Sequence, residues 1–157
     1  MSLKQVAEVI LVLSLVAGTG CGRKPASPSE VIGMKGAKDA KSEAQESFEA
    51  FRARVQAPQD GDRGFQVKVE VKDENGTEMI WLNELKLESE PYSGIVASEP
   101  AVVKNIAWKD TYTFSKDDVC DWMYWAGTTV QGNHMARAAL ESMPPDEAAR
   151  MREKMGW

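Results

Sequence analysis

The sequence has few of the residues that metal sites and nucleophilic active sites require. Its 157 residues include one histidine and two cysteines. A structural zinc site usually takes four Cys or His ligands, and a serine or cysteine hydrolase needs a positioned base. The single histidine, His134, falls at a predicted helix start, and no metal-ligand spacing, nucleophile elbow or glycine-rich phosphate loop is present. We therefore expect no metal and no other cofactor.

Basic residues are also fewer than acidic residues. The chain has 19 Lys and Arg against 24 Asp and Glu, which gives a formal net charge of −5. Affinity for nucleic acids comes mainly from clustered Lys and Arg that displace counterions from phosphates. The sequence contains no such cluster, so we expect no nucleic-acid partner.

The two cysteines do not form a disulfide framework. Cys120 lies inside an aromatic stretch, where a lone thiol is more often a small buried apolar residue than a nucleophile. Cys21 follows directly after residues 1–20, which resemble a bacterial export signal with Lys4 before the apolar run 9–17. This run is too short to span a bilayer.

The residues before Cys21 are small and resemble a lipobox, the motif whose cysteine is lipidated in bacterial lipoproteins. The alternative is an ordinary cleaved signal with a chance cysteine. The lipobox interpretation predicts a protein held by a lipid on Cys21 in the cell envelope. Gly22, where an aspartate would indicate inner-membrane retention, favours the outer membrane over the inner one.

The rest of the chain divides into a tether and one domain. Residues 21–36 are rich in Pro, Ser, Gly and Lys, a composition typical of a flexible linker. Residues 37–55 contain helix formers with an apolar stripe that includes Ala44, Phe48 and Phe51. We expect the domain to cover residues 37–157 and its first helix to dock through the two phenylalanines.

Short strands are predicted next. Residues 65–72 alternate between apolar and polar side chains, so one face of this strand should meet water. Asn75-Gly76 indicates a hairpin, and further short strands lead to the aromatic strand 119–125. A loop at 127–132 should precede a helix capped by Asn133, and a second helix should begin near Pro145.

Together these elements predict an α+β fold. It consists of an antiparallel meander sheet of about four or five strands, an N-terminal helix and C-terminal helices.

From about residue 44 to its end, the chain resembles the YegJ family, a bacterial domain of unknown function that occurs in lipoproteins and in cytoplasmic proteins. The resemblance is carried by segments 65–69 (FQVKV), 78–82 (EMIWL), 94–95, 99–100, 121–124 (DWMY) and 132–133, together with Arg137. Met79, Ser98 and Met135 depart from residues common in the family. The resemblance implies no established catalytic residues.

Two hypotheses for function remain open. Glu78, Glu99 and Asp121 lie beside aromatic residues or turns. A pair of carboxylic acids in a cleft lined by tryptophans could hydrolyse a glycan, which is the first hypothesis. Alternatively, Glu78 and Asp121 are structural: they accept main-chain hydrogen bonds or pair with Arg137, which is the leading candidate for the partner of Asp121.

In the second case the protein is a non-catalytic binding module for an unknown envelope protein or ligand, and we prefer this hypothesis. The aromatic residues that could supply both a core and a shallow binding surface are Trp81, Trp108, Trp122, Tyr124 and Trp125. The surface candidates among them are Trp81, Trp122, Tyr124 and Trp125.

Overall fold

The computed structural model describes residues 36–157. In chain order the elements are α1 (Ala37–Gln56), β1 (Asp62–Asp73), β2 (Gly76–Lys86), β3 (Tyr92–Val96), β4 (Thr111–Phe114), a 3-10 turn (Lys116–Asp118), β5 (Val119–Ala126), β6 (Thr129–Gly132), α2 (His134–Leu140) and α3 (Pro145–Met155). The predicted signal peptide, Cys21 and all of the predicted tether except Gly36 lie outside the described residues. Within residues 36–157, no helix combines the length and apolar character needed to cross a bilayer.

The six strands form one antiparallel sheet in the order β4-β3-β2-β1-β5-β6. Strands β1 to β4 are sequential neighbours and make a meander, after which the chain returns to the far side of β1 and adds β5 and β6. This arrangement confirms the predicted α+β class. The strand count is higher than expected because residues 129–132, predicted as a loop, pair with β5 as an edge strand.

The first helix packs on one face of the sheet through the predicted stripe. Ala44, Phe48 and Phe51 are almost completely buried, in one cluster with Val67 of β1. The ring of Phe51 stacks on Trp122 with 4.9 Å between centroids. Full burial of one such phenylalanine stabilises a fold by about 1.5–3 kcal/mol, so these contacts hold α1 in place.

The opposite face of the sheet differs from the prediction. Gln66 and Lys68 were expected to face water, but only 2% and 4% of their surfaces are exposed. Their cross-strand neighbours include Trp81 of β2 and Met123 of β5, which cluster with Met155 of α3. The central position of β1 and the packing of α3 therefore bury a face that the alternating pattern predicted to be polar and solvated.

Candidate functional site

Asp121 lies at an irregularity in the sheet. Lys68 pairs with Asp121 and Val69 pairs with Val119, so Cys120 is an extra residue on β5. Such a bulge changes the direction in which the following side chains point. Asp121 is completely buried and lies beside the first turn of α2.

The carboxylate of Asp121 is occupied by main-chain donors. Its Oδ1 accepts N–H groups from Trp122 at 2.9 Å and His134 at 3.0 Å, and its Oδ2 accepts from Met135 at 2.9 Å. The last two are among the amides at a helix start that have no partner inside the helix. Asn133, the predicted cap, has φ 55° and makes no capping hydrogen bond with its side chain. Asp121 therefore caps α2 from a neighbouring strand.

Lys68 is the buried cation nearest in register to Asp121. The two residues are cross-strand partners on β1 and β5, and the Lys68 Nζ lies 4.6 Å from the centroid of the Trp81 ring. Burial raises the pKa of the Asp121 carboxyl, while the charge of Lys68 and the amides of α2 oppose that rise. Burial likewise lowers the pKa of Lys68, and Asp121 opposes the change. Each charge thus stabilises the other inside the protein.

Arg137 is not the hydrogen-bonding partner of Asp121, so the predicted pair is wrong. Its Nε donates to the carbonyl of Gly132 and its Nη2 to that of Val130, both at 3.0 Å. Its guanidinium lies 3.9 Å from the centroid of the Trp157 ring, whose Nε1 also donates to the Val130 carbonyl. The prediction failed because residues 129–132 of the expected loop form a strand, and Arg137 covers the edge of that strand.

Glu78 holds a long loop against the sheet. Its Oε2 accepts N–H groups from Ala101, Val102 and Val103 at 3.0, 2.8 and 3.2 Å, and its Oε1 accepts from Ala101 at 2.9 Å. Asp73 accepts the next amide, that of Lys104, and this bond is the main reason why its pKa is lowered. We call residues 97–110 the Trp108 loop. Its first half is fixed by these two carboxylates.

Trp108 lies at the exposed tip of this loop. It is 51% exposed, and Lys109 places its Nζ 4.2 Å from the centroid of the indole. The tip is a tight turn in which the Ala107 N–H donates to Asp110 Oδ2 at 2.8 Å and the Asp110 N–H donates to the Ala107 carbonyl. Glu99 is exposed on the same loop.

The four predicted surface aromatics do not form an exposed surface. Trp81 and Trp122 are only 8% exposed, so both belong to the core. Tyr124 and Trp125 are half-buried, with the guanidinium groups of Arg54 and Arg63 over their rings. Trp108 was counted among the aromatic residues of the sequence but not among the four surface candidates, and it is the exposed tryptophan. The available signal was its place in a Trp-Lys-Asp turn outside any alternating strand pattern.

Metal and thiol chemistry find little support in the part of the chain that the structure describes. Residues 36–157 contain no cluster of His, Cys, Asp and Glu side chains suited to hold a metal ion. Cys120 is buried, and burial raises the pKa of its thiol, which disfavours the reactive thiolate. The His134 Nδ1 lies 3.3 Å from Glu43 of α1 and its ring meets Trp122 edge-on, so it packs between α1 and β5.

Comparison with known proteins confirms the predicted resemblance. Residues 35–157 match the family model described as "Uncharacterized protein conserved in bacteria (DUF2314)". The chain is 28% identical over 151 residues to "Uncharacterized protein YegJ" of Escherichia coli (strain K12), an alignment that covers 94% of this chain and 97% of that protein. No solved structure matches the chain.

Proposed function

The chain belongs to the DUF2314 family of uncharacterized bacterial proteins, and we propose that it is a non-catalytic binding module held at the cell envelope by a lipid on Cys21. The Trp108 loop is the surface we assign to binding. The outer membrane is the favoured location because Gly22 follows the cysteine.

The observation that carries this proposal is the engagement of the two buried carboxylates. A general acid or base must reach a proton on its substrate. Asp121 and Glu78 instead accept main-chain N–H groups, and Asp121 also faces Lys68. These bonds support a structural role for both carboxylates. They do not support a pair of carboxylates that acts on a glycan.

The Trp108 loop has features suited to recognition. An exposed indole offers a large apolar contact, and the adjacent ammonium of Lys109 offers a charge. Glu78 and Asp73 fix the loop before a ligand arrives, which lowers the entropy lost on binding. A ligand that presents an apolar group beside an anionic group matches this pair of side chains.

The tether enters the domain at the same end of the sheet as the Trp108 loop. Ala40, in the first turn of α1, packs in one cluster with Met79, the neighbour of Glu78. Gln45, further along the helix, donates to the Val119 carbonyl at the start of β5. In the sheet, Val69 of β1 pairs with Val119 on one side and with Ile80 of β2 on the other. Ile80 is two residues after Glu78, which holds the loop. The 16 residues from Cys21 to Gly36 can extend to at most about 55 Å. A lipid anchor would therefore keep the loop near the membrane surface.

The anchoring part is tested by fractionation of cells that express the full chain. Wild-type protein should pellet with membranes and incorporate labelled fatty acid, whereas Cys21→Ser should lose the label and be released or misprocessed. Cys120→Ser is the matched control and should keep the label. Identical fractionation of wild type and Cys21→Ser without any label would refute the lipid anchor.

The binding part is tested by capture from envelope membranes with the tagged full chain. Trp108→Ala should lose the bound partner while it keeps the wild-type unfolding midpoint. Thr128→Ala, at an exposed turn far from the loop, should retain the partner. Unchanged capture by Trp108→Ala would show that another surface binds, and a hydrolytic activity abolished by Asp121→Asn at unchanged stability would favour the carboxylate enzyme.

A further inference from the structure

The two edge strands of the sheet differ in whether side chains bond to their outward main-chain groups. At the β6 edge, the Val130 carbonyl accepts hydrogen bonds from Arg137 and Trp157, and the Gly132 carbonyl accepts one from Arg137. Side chains therefore satisfy main-chain acceptors that would otherwise pair with another strand. The opposite edge, β4, is the last strand in the order, and no further described strand covers it.

The pairing of β4 with β3 determines which main-chain groups of β4 point away from the sheet. The Val96 N–H donates to the Asp110 carbonyl, which points inward. Inward and outward groups alternate along a strand. Tyr112 and Phe114, opposite Gly94 and Tyr92, therefore bond to β3. The N–H and C=O groups of Thr111 and Thr113 face away from the sheet, and both threonines are exposed.

The composition of β4 suits pairing with another strand. Its sequence, Thr-Tyr-Thr-Phe, consists of residues with high strand propensity and contains no charge to repel a second strand. Tyr112 and Phe114 pack against the same apolar cluster as α1. A strand added beyond β4 would extend that apolar face.

We propose that two copies of this chain associate through β4, antiparallel to each other, about a two-fold axis at Tyr112. Thr111 of each copy then lies opposite Thr113 of the second copy, and each such pair exchanges two main-chain hydrogen bonds. These bonds use all the outward groups of both threonines. The product is one continuous sheet that runs through both copies, and it goes beyond the binding role proposed above.

Charge favours a second copy as the occupant of this edge. Asp110 precedes β4 and Lys116 follows it. Lys116 begins the 3-10 turn, where its Nζ lies 3.9 Å from Glu49. In the antiparallel pair, Asp110 comes opposite Phe114 of the second copy, so Lys116, two residues further on, is within diagonal reach of it. The two-fold axis repeats this attraction at both ends and brings no like charges together in the middle.

The test uses the full chain in detergent, by sedimentation and by co-purification of two differently tagged copies. Wild type should sediment as a dimer, and each tag should bring down the other. The Thr111→Lys/Thr113→Lys variant and the Thr111→Glu/Thr113→Glu variant should each be monomeric because the axis places like charges opposite each other. Mixing the two variants should restore a dimer. Thr128→Lys is the control and should remain dimeric.

A second pair of variants tests the main-chain bonds. Thr113→Pro removes one outward N–H from each copy at an edge position where proline is tolerated, and it should raise the dissociation constant roughly tenfold or more. Thr113→Val keeps the N–H and should dimerise like wild type. A monomeric wild type, or a dimer that survives in the lysine variant, would overturn the proposal. A monomer that instead binds an extended peptide of another protein at β4 would also overturn it.

Discussion

Lys68 of β1 and Asp121 of β5 lie opposite each other in the centre of the sheet, with 4% and 0% of their surfaces exposed. Asp121 also accepts the first amides of α2. One carboxylate thus connects β1, β5 and α2, and one buried lysine balances its charge. A buried charge that loses its partner is costly, so the two residues should depend on each other.

We expect Asp121→Asn to lower the free energy of unfolding by about 3–5 kcal/mol, because it leaves Lys68 buried without a counter-charge and puts an NH₂ group among N–H donors. Urea denaturation measures this as a lower midpoint at unchanged slope. Asp117→Asn, in the exposed 3-10 turn, is the control and should change the free energy by no more than about 0.5 kcal/mol. In the double variant Asp121→Asn/Lys68→Met the loss should be smaller than the sum of the two single losses. A strictly additive double variant would contradict the pairing.

Arg137→Met should destabilise the protein through the β6 edge. It removes two hydrogen bonds to the carbonyls of Val130 and Gly132, each worth roughly 1 kcal/mol or somewhat more for a charged donor. Its interaction energy with Asp121→Asn, measured in a double-mutant cycle, should be smaller than that of Lys68→Met. A larger coupling of Arg137 than of Lys68 to Asp121 would restore the pair that the sequence predicted.

Glu78→Gln should loosen the Trp108 loop. A glutamine side chain offers one acceptor oxygen in place of two and turns an NH₂ group toward the amides of residues 101–103. Hydrogen exchange at Ala101, Val102 and Val103 should accelerate, and the free energy of unfolding should fall by about 1–3 kcal/mol. The exposed Glu99→Gln is the matched control. Equal exchange rates in Glu78→Gln and wild type would mean that other contacts hold the loop.

The fall in the free energy of unfolding at acid pH should depend on Asp62 and Asp73. The hydrogen bond from Arg54 lowers the pKa of Asp62, and that from the Lys104 amide lowers the pKa of Asp73. An unfolded aspartate has a pKa of about 3.9. Since the folded values lie below it, the folded state binds fewer protons, and this stabilisation is complete above about pH 4 and is lost as the pH falls through the folded values.

Urea denaturation across the acid range measures this effect. Asp62→Asn and Asp73→Asn should each flatten the fall in unfolding free energy below about pH 4. Asp60→Asn, with an exposed side chain, should leave the fall unchanged. An equally steep fall in all three variants and the wild type would contradict the assignment. The pKa of Asp121 is raised in the folded protein, so Asp121 changes the free energy of unfolding with pH in the opposite direction. All the compared variants therefore retain Asp121.

Local patterns in the sequence predicted the elements that neighbouring residues specify. The stripe with Phe48 and Phe51 predicted a helix that docks by its aromatic face, and both rings are buried. The Asn75-Gly76 signal predicted the hairpin, which closes with Asp73 opposite Gly76. Pro145 predicted the start of the last helix. In each case the determining interactions lie within a few residues along the chain.

Tertiary structure decided the partners of the charged and aromatic side chains. Lys68 belongs to an alternating pattern that predicts a solvated side chain, and it is buried because β5 returns to pair with β1 and Trp81 and α3 cover the same face. Asp121 meets the start of α2 because residues 129–132 form a strand instead of a loop. Spacing along the chain cannot predict these partners. They depend on which distant strands become neighbours, and that is a result of packing the whole sheet.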